Sequence, residues 1–339
     1  MLSVLQRAYG NPISVLAVEE LPEPSSIAAD EILVRVTSAP VHPGDIALIR
    51  GAAIGGIQPP IDPKSPRVPG FEGSGVVEKV GSAVSRKSGL IEGTRVAFFP
   101  KAGTWCGRVA VNAAFATIVP DKVPDDIAAQ MLINSITARM VLRAAHAALP
   151  AALMGAIPFI QTSANSAVGR LITLRAMENG RLPIRLVRSS DAKEKLLKLL
   201  PGAPAIATSD SDWKEQVRAA ANGAPIHTAL DGVGGELLND VIPMLAHRGV
   251  VINYGDVGTG TTDLRYLVSS EVSIRGVSIL HWLSDPVELR AEDLAIAIRF
   301  AQTAPEQFPI SGTYRIQEIA KAIEHVSRPG KIGTVILSF

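Results

Sequence analysis

The sequence predicts an α/β protein with two domains, one rich in strands and one built on a doubly wound parallel sheet. Three observations predict this class. The chain has 339 residues, which suits two domains of ~100–200 residues each. Up to about Pro120, β-branched runs lie between glycines and prolines. From about Asp125, strands alternate with helices, a pattern typical of a parallel sheet covered by helices on both faces.

Composition excludes several classes of protein. Hydrophobic residues make up 47% of the chain and charged residues 19%, which is typical of a globular protein and not of a disordered one. The formal net charge of +1 and the lack of a long basic run argue against a nucleic-acid partner. The single cysteine, Cys106, excludes internal disulfides and zinc sites built from several thiolates.

Targeting and membrane patterns are weak. The first residues lack the apolar core and cleavage site of a secretory signal. Residues 144–169 carry no Lys, Arg, Asp or Glu, a length that meets the ~20 residues of a spanning helix. Pro150, Pro158 and the polar run 161–166 interrupt that stretch, so a buried loop, strand and turn explain it better. We therefore expect a cytoplasmic protein with no membrane contact.

Individual elements follow from the residue pattern. In the first part, β-branched runs predict strands at 31–37, 75–80, 95–99 and 114–119. In the second part, apolar runs predict strands at 157–160, 184–187, 226–230, 249–254 and 272–277. Helical periodicity predicts helices at 166–179, 191–200, 211–222, 236–246, 285–303 and 316–326, and the end of the chain, 331–339, is again strand-like.

The first strand-to-helix turn of the second part is the expected site for a dinucleotide pyrophosphate. Its sequence places Ala164, Ser166 and Gly169 at the three glycine positions of the G-x-G-x-x-G pattern, so only the last glycine is present. Small residues still allow close backbone approach at this turn. An ordinary Ser/Asn helix cap explains the same residues and stays open as the alternative.

The next predicted strand ends at Arg188-Ser189-Ser190. An acidic residue at this position would bind the ribose 2′-hydroxyl of NAD, whereas an arginine with serines suits the 2′-phosphate of NADP. The sequence therefore favours NADP(H) as the cofactor. A solvated surface arginine is the alternative.

Several short motifs occur together along the chain. They are Val41-His-Pro-Gly-Asp-Ile-Ala-Leu-Ile-Arg-Gly51, Val68-Pro-Gly-Phe-Glu-Gly-Ser-Gly75, Gly103-Thr-Trp105, Ile133-Asn-Ser-Ile-Thr-Ala138, Ala164-Asn-Ser-Ala-Val-Gly169, Leu230-Asp-Gly-Val-Gly-Gly235 and Val251-Ile-Asn-Tyr-Gly255. In this order they resemble the zinc-independent branch of the medium-chain dehydrogenase/reductase superfamily. Within that branch the chain is similar to quinone oxidoreductases and mitochondrial-type 2-enoyl thioester reductases.

This resemblance implies a GroES-like catalytic domain formed by residues 1–124 and 303–339, and a Rossmann NADP-binding domain formed by 125–302. It also implies a homodimer joined along the Rossmann sheets, for which the strand at 272–277 is the candidate. Zinc-dependent members of the superfamily hold their metal with Cys, His and Cys. The corresponding neighbourhoods here are Ser38-Ala39-Pro40, Phe71 and Asn134, so no metal is expected.

The resemblance also assigns cofactor contacts. Asn134 and Thr137 are expected beside the nicotinamide, and Arg188 and Ser189 at the 2′-phosphate. The remaining expected contacts are the pyrophosphate residues Asn165, Ser166, Ala167 and Val168, the flanking residues Tyr254, Gly255, Asp256, Val257, Val277, Ser278 and Ile279, and Thr334 near the C-terminus.

For enoyl thioester reductases the resemblance implies hydride transfer to an activated C=C bond, with a tyrosine as the proton donor. Ala53 occupies the tyrosine position here. His42 stands where relatives usually have asparagine, three residues before Asp45, and its imidazole could supply the proton. The alternative is that His42 orients a loop and Asp45 caps a helix.

The sequence therefore predicts an NADPH-dependent, metal-free reductase acting on a small molecule such as a 2-enoyl thioester. Two alternatives stay open. A quinone reductase would need no tyrosine, because its acceptor is a ring. A protein that binds NADPH without turnover is the other alternative.

Overall fold

The structure is a computed structural model that describes residues 1–52, 58, 60–148, 158–328 and 330–339. The strands are β1 Leu2–Gln6, β2 Leu16–Glu20, β3 Glu31–Val41, β4 Gly73–Val80, β5 Arg95–Phe98, β6 Arg108–Asn112, β7 Ala116–Ile118, β8 Phe159–Gln161, β9 Pro183–Val187, β10 Ala205–Ala207, β11 Thr228–Asp231, β12 Val250–Asn253, β13 Ser273–Gly276, β14 Ile310–Arg315 and β15 Thr334–Ser338. The helices are α1 Pro12–Val15, α2 Pro43–Arg50, α3 Asp125–Ala128, α4 Met131–Ala148, α5 Ala167–Glu178, α6 Ser190–Leu199, α7 Trp213–Ala221, α8 Leu237–Val241, α9 Arg265–Ser269, α10 Val287–Thr303 and α11 Ile319–Val326. Among the described helices, none is both long enough and apolar enough to cross a membrane.

The polypeptide divides into two compact units. Unit 1 comprises residues 1–133 and 294–339, and unit 2 comprises residues 134–293. The domain boundaries expected from the sequence, 124/125 and 302/303, each lie nine residues from the boundaries of these units. Asp125 accepts a hydrogen bond from the Arg95 side chain, and the Gln130 side chain is hydrogen-bonded to Thr334. These contacts keep residues 125–133 with unit 1.

Unit 1 is built on a seven-stranded sheet. Its strands follow the order β14-β15-β3-β4-β5-β7, with β6 also paired to β3. All pairs are antiparallel except β14 with β15. The β1–β2 hairpin forms a separate two-stranded sheet.

The core of unit 1 contains the indole of Trp105, which is fully buried and donates from Nε1 to the Pro40 carbonyl at 3.1 Å. Gly70 makes this packing possible. It has a φ of +93°, and a Cβ there would lie 2.2 Å from Thr104 Oγ1 and 2.5 Å from Trp105 Cδ1. Two of the motifs that carry the family resemblance are therefore packed together in this core.

Unit 2 is built on a six-stranded sheet in the order β10-β9-β8-β11-β12-β13, and every pair is parallel. Chain order reverses direction on the two sides of β8. This is the doubly wound arrangement, in which ligands bind at the carboxyl ends of the strands beside the reversal. The predicted parallel sheet is confirmed.

Helices cover both faces of this sheet. Ile184 and Leu186 of β9 pack in a cluster with α7 and α8, while Val187 packs in a second cluster with α6. Alternate residues of a strand point to opposite faces, so the two clusters lie on opposite sides of the sheet. Pro158 immediately precedes β8, where it removes no hydrogen bond from the middle of the strand.

Candidate functional site

Most of the residues expected to contact a dinucleotide follow β8, β9, β12 and β13 in unit 2. These four strands are parallel members of one sheet. Their carboxyl ends therefore lie at the same edge, and the loops after them meet there.

The turn after β8 has the geometry of an anion-binding helix N-terminus. Ser166 caps α5, since its Oγ accepts a hydrogen bond from the Gly169 amide at 3.0 Å. A Cβ at Gly169 would lie 2.4 Å from the Ser163 carbonyl, so the turn requires glycine there. Ala167 and Val168 form the first turn of α5, which leaves their amides without intrahelical partners. The Asn165 side-chain oxygen is buried and has no partner among the described residues.

Arg188 directly follows β9 and is exposed. Its guanidinium forms no ion pair with any described residue. Ser189 caps α6 by accepting the Ala192 amide at 3.3 Å, which leaves its hydroxyl proton available. The combination of a solvent-facing guanidinium, a hydroxyl and a helix N-terminus suits a phosphate monoester.

The loops after β11 and β12 are held together by the buried carboxylate of Asp231. It accepts hydrogen bonds from the Thr162 hydroxyl, the amides of Val233 and Gly234, and the Asn253 side chain. Sequence reasoning quoted this motif for its resemblance but assigned Asp231 no role. Its role is to hold the loops at the carboxyl ends of the strands.

Tyr254, Gly255, Asp256 and Val257 form the loop after β12. The Val257 amide donates to the Val233 carbonyl at 2.9 Å, which brings this loop against the loop that follows β11. The Tyr254 hydroxyl is buried, and burial raises its pKa, so the phenol stays protonated at neutral pH. Val277, Ser278 and Ile279 follow β13, and Ser278 caps a short 3₁₀ turn.

Three expected residues lie elsewhere. Asn134 and Thr137 are buried on α4. Thr334 begins β15 in unit 1, is buried, and donates its hydroxyl proton to Gln130 Oε1 at 2.5 Å. Its hydroxyl is thus used inside unit 1, and we withdraw it as a cofactor contact. Ala53 lies outside the described residues.

Unit 1 contains a buried imidazole–carboxylate pair. His42 is the residue before α2, and its Nε2 lies 2.9 Å from Glu72 Oε2. The other oxygen of Glu72 accepts the backbone amides of Leu132 and Ile133 at 2.7 and 3.0 Å, at the start of α4. The His42 side chain keeps 14% of its surface exposed, whereas that of Glu72 is fully enclosed.

Three charged groups set the protonation of His42. Burial disfavours the imidazolium, but the hydrogen bond and charge of Glu72, together with the charge of Asp45, outweigh it and raise the His42 pKa above its ordinary 6.5. Lys331, whose amine donates to the Gly333 carbonyl, acts in the opposite direction. Burial raises the pKa of Glu72 also, against the hydrogen bonds from His42 and the α4 amides.

Asp45 caps α2, as the structural alternative stated. Its Oδ2 accepts the His42 amide at 2.8 Å, and the carboxylate is 3% exposed. Burial raises its pKa to about 6. Sequence reasoning identified His42 and Asp45 but missed Glu72. A lone glutamate in the run Gly70-Phe-Glu-Gly73, at the start of a strand, was the available indication of a buried functional charge.

The donors of unit 1 do not suit a zinc site. No group of three His, Cys, Asp or Glu side chains within the described residues is arranged to hold a metal ion. The Cys106 thiol lies against the carbonyls of Gly103 and Arg108, and burial raises its pKa to about 11. A thiol that stays protonated at neutral pH is a poor metal ligand.

Asp45→Asn tests the electrostatics of this cluster. The folded pKa of about 6 exceeds the unfolded value. The contribution of Asp45 to the free energy of unfolding therefore decreases as the pH rises from the unfolded pKa to the folded pKa, and it is most favourable below that interval. The amide keeps an acceptor oxygen and removes the charge. We expect the variant to gain about 2 kcal/mol in free energy of unfolding relative to wild type between about pH 4 and pH 7.

Urea unfolding across this pH range measures the difference. Asp191→Asn, at an exposed carboxylate on α6, is the control and is expected to show a much smaller pH-dependent change. A difference between Asp45→Asn and wild type that does not vary with pH would contradict a charge held at a burial cost.

Comparisons with known proteins agree with this architecture. The alcohol dehydrogenase GroES-like domain model matches residues 28–119, and the zinc-binding dehydrogenase model matches residues 167–295. The mitochondrial enoyl-acyl-carrier-protein reductase of Caenorhabditis elegans is 28% identical over 302 residues, which cover 87% of this chain and 82% of that protein. The corresponding reductase of Xenopus tropicalis is 26% identical over 298 residues, covering 86% and 81%.

Solved structures show the same fold over the full length. A protein of Bacillus thuringiensis assigned as an NADPH:quinone reductase has a TM-score of 0.83 and 27% identity, covering 100% of this chain and 98% of that one. The quinone oxidoreductase of Escherichia coli, solved with NADPH, has a TM-score of 0.82 and 22% identity, with both chains fully covered. The two matched domains, their order and the shared fold place this chain in the medium-chain dehydrogenase/reductase superfamily.

Proposed function

We propose that the protein is an NADPH-dependent reductase that adds hydrogen across an activated C=C bond, with 2-enoyl thioesters as the leading substrate class. The observation that carries the proposal is the His42–Glu72 pair, a proton source in a chain whose other unit has the dinucleotide-binding strand order. The similarity to two enoyl-acyl-carrier-protein reductases supports the substrate class. No step of the proposal requires a metal.

The residues of unit 2 fit NADP(H). When bound, NADPH supplies a hydride equivalent. The first turn of α5 would hold the pyrophosphate through backbone amides, and Arg188 with Ser189 would hold the 2′-phosphate. No carboxylate directly follows β9 to repel that phosphate. Asn134 and Thr137 are proposed at the nicotinamide end, and Tyr254, Gly255, Asp256, Val257, Val277, Ser278 and Ile279 along the cofactor path.

His42 supplies the proton in this proposal. Its partly exposed imidazole can reach a bound molecule, while Glu72 and Asp45 favour the protonated ring. A donor whose pKa lies near the working pH is efficient both in giving up its proton and in recovering it. His42 thereby takes the role that the family tyrosine would have at position 53, where this chain has alanine.

Reduction of a quinone is the second candidate. The alanine at position 53 favours it, because reduction of a quinone leaves a negative charge on oxygen, and an oxygen anion needs no positioned side chain to protonate it. The Bacillus thuringiensis protein assigned as an NADPH:quinone reductase shares the fold over the full chain.

The sequence-based expectation of a cytoplasmic location also remains part of the proposal, whereas the two enoyl reductases are named mitochondrial.

Oxidation of NADPH with crotonyl-CoA and with 9,10-phenanthrenequinone tests the proposal. We expect wild-type turnover of the thioester and a loss of about 10²–10⁴-fold in His42→Asn, which removes the general acid. Ala53→Tyr, measured alone and combined with His42→Asn, tests whether a phenol at the family position restores the rate.

The outcomes separate the candidates. Thioester turnover that is insensitive to His42→Asn would remove the imidazole from the reaction. Turnover of the quinone alone would make the second candidate the function. Tight NADPH binding with no oxidation by either acceptor would favour a binding protein and overturn the assignment as a reductase of these two classes.

Arg188→Gln tests the cofactor assignment. Loss of a charge-assisted contact to the 2′-phosphate costs about 1.5–3 kcal/mol, which corresponds to a rise in the NADPH dissociation constant of about 10–150-fold. The dissociation constant of NADH should change little. Fluorescence titration of both cofactors measures this, with Arg218→Gln on α7 as an exposed control. An equal loss for both cofactors would contradict a 2′-phosphate contact.

We also propose a homodimer joined at β13. This edge strand is exposed along its whole length, and large apolar side chains are exposed on it and in the segment of chain before it, including Ile274 (37%), Leu264 (57%) and Val268 (85%). An unpaired strand edge with exposed apolar side chains suits pairing with a second copy.

Ile274→Lys is expected to convert the dimer to a monomer, because it places a charge in the proposed interface. Ile91→Lys, at an isoleucine of unit 1 that is more exposed (61% against 37%), should leave the dimer intact. Light scattering after size-exclusion chromatography measures the mass. A monomeric wild type, or a dimer that survives Ile274→Lys, would contradict this interface.

A further inference from the structure

Glu72 makes more contacts than a counter-ion needs. Its Oε2 faces His42 Nε2 at 2.9 Å, and its Oε1 accepts two amides in the first turn of α4 at 2.7 and 3.0 Å. The side chain is completely enclosed. A single carboxylate therefore connects the residue before α2 to the N-terminus of an 18-residue helix.

We propose that Glu72 is the positioning residue of the reaction, holding His42 in place as a charged proton donor. This inference rests on the proposed function and adds a residue to it. Glu72 touches no reactant in this assignment and acts through the imidazole.

The position of Glu72 at a helix N-terminus offsets part of the cost of enclosing its carboxylate. Backbone amides and the positive end of a helix stabilise a carboxylate there. Removing either partner of an enclosed ion pair leaves an uncompensated charge, which is far more costly than breaking an exposed pair. The charge of Glu72 is thus supported from α4, independently of the imidazole.

The same helix carries the residues proposed at the nicotinamide. Asn134 is the next residue after Ile133, and Thr137 is one turn further along α4. Glu72 thus fixes the first turn of that helix and the ring of His42 with the same carboxylate. A change in the carboxylate would disturb the position of the donor before any other contact.

The proton transfer balances without further reactants. Once bound NADPH had supplied hydride to the β-carbon, the electron pair of the resulting enolate would take the Nδ1 proton of the imidazolium at the α-carbon, because Nε2 stays hydrogen-bonded to Glu72. The C–H bond forms as the N–H bond breaks, and the ring is left neutral. The exposed part of the ring allows it to recover a proton from water, while Glu72 keeps its hydrogen bond to Nε2 throughout.

The groups that face His42 are known from every neighbouring element. Glu72 precedes β4, Asp45 lies on α2, and Lys331 precedes β15. Two carboxylates favour the charged ring and one ammonium opposes it. Removing the Glu72 charge should therefore favour the neutral ring, because Asp45, which then remains as the one carboxylate, raises the His42 pKa less than Glu72 does.

Titration of His42 by NMR tests this without any substrate. The chain has 6 histidines, and His42→Asn identifies the resonance. We expect a wild-type His42 pKa above 6.5 and a decrease of about one pH unit or more in Glu72→Gln, corresponding to roughly tenfold or more in the protonation constant. Glu78→Gln, on the strand β4 that Glu72 precedes and paired with Arg108, is the matched control and should leave the titration unchanged.

Activity against pH gives the second readout. The rate constant kcat/KM should fall as pH rises through the His42 pKa, and the pH of this fall should move down in Glu72→Gln by the same amount as the NMR value. Glu72→Asp keeps the charge with a shorter reach, so it should retain a raised pKa with a reduced kcat. A residue that only stabilises the fold would lower activity without moving the pH at which it falls.

Failures of the two proposals are distinguishable. A wild-type His42 pKa below 6.5, which needs no variant, or one unmoved by Glu72→Gln, overturns the role of Glu72. Absence of turnover by wild type with all acceptors overturns the proposed function and the donor role with it. If Glu72→Gln does not fold, the test rests on the titration of His42 in the wild type and in Glu72→Asp. A His42 pKa at or below 6.5 in Glu72→Asp would then overturn the inference.

Discussion

The enclosed carboxylate of Glu72 determines how the centre of unit 1 is arranged. Removing such an ion from water costs several kcal/mol unless hydrogen bonds replace the lost solvation. Three donors do so here, one from the imidazole of His42 and two from the first turn of α4. The flanking glycines permit this enclosure. A Cβ at Gly73 would lie 2.9 Å from Phe98 Cζ, and one at Gly70 would meet Trp105. Glycine is thus a steric requirement at positions 70 and 73, on either side of the buried Glu72.

In unit 2 the ligand-binding edge depends on backbone geometry more than on particular side chains. Only one of the three fingerprint glycines is present, and it is the one whose Cβ would collide with the Ser163 carbonyl. The other two positions tolerate Ala164 and Ser166, and the serine also caps the helix. Asp231 performs a similar task for the next two loops. A pattern search on glycines misses this turn, although the residue that must be glycine for steric reasons, Gly169, is present.

The fold was largely predictable because local patterns and global topology agree. Elements with strong periodicity, such as β3, β12 and α5, were located from the sequence with small errors at their ends. β10 was not predicted, since Ala205–Ala207 is short and rich in alanine. The helix α4 was also missed, because most of its first two turns is apolar or buried and shows little polar alternation.

Candidate site residues could be inferred from the sequence only where the argument is local. The assignment of Arg188 to a 2′-phosphate uses only the residue that follows one strand, and it remains a prediction. Glu72 could not be inferred in this way, because its partners are separated from it by 30, 60 and 61 residues. No spacing rule connects such positions. The pairing becomes visible only when β4, α2 and α4 are placed together.

The arrangement around His42 bears on the choice of acceptor. An oxygen anion on a reduced ring exchanges protons with water rapidly, so a quinone reductase gains little from a held acid. Protonation of a carbon is intrinsically slower and benefits from a positioned donor with a matched pKa. Two carboxylates enclosed beside one imidazole are a costly arrangement for a protein to maintain. Their presence in a chain that lacks the family tyrosine favours a reaction in which a carbon atom is protonated, and hence an activated C=C bond as the acceptor.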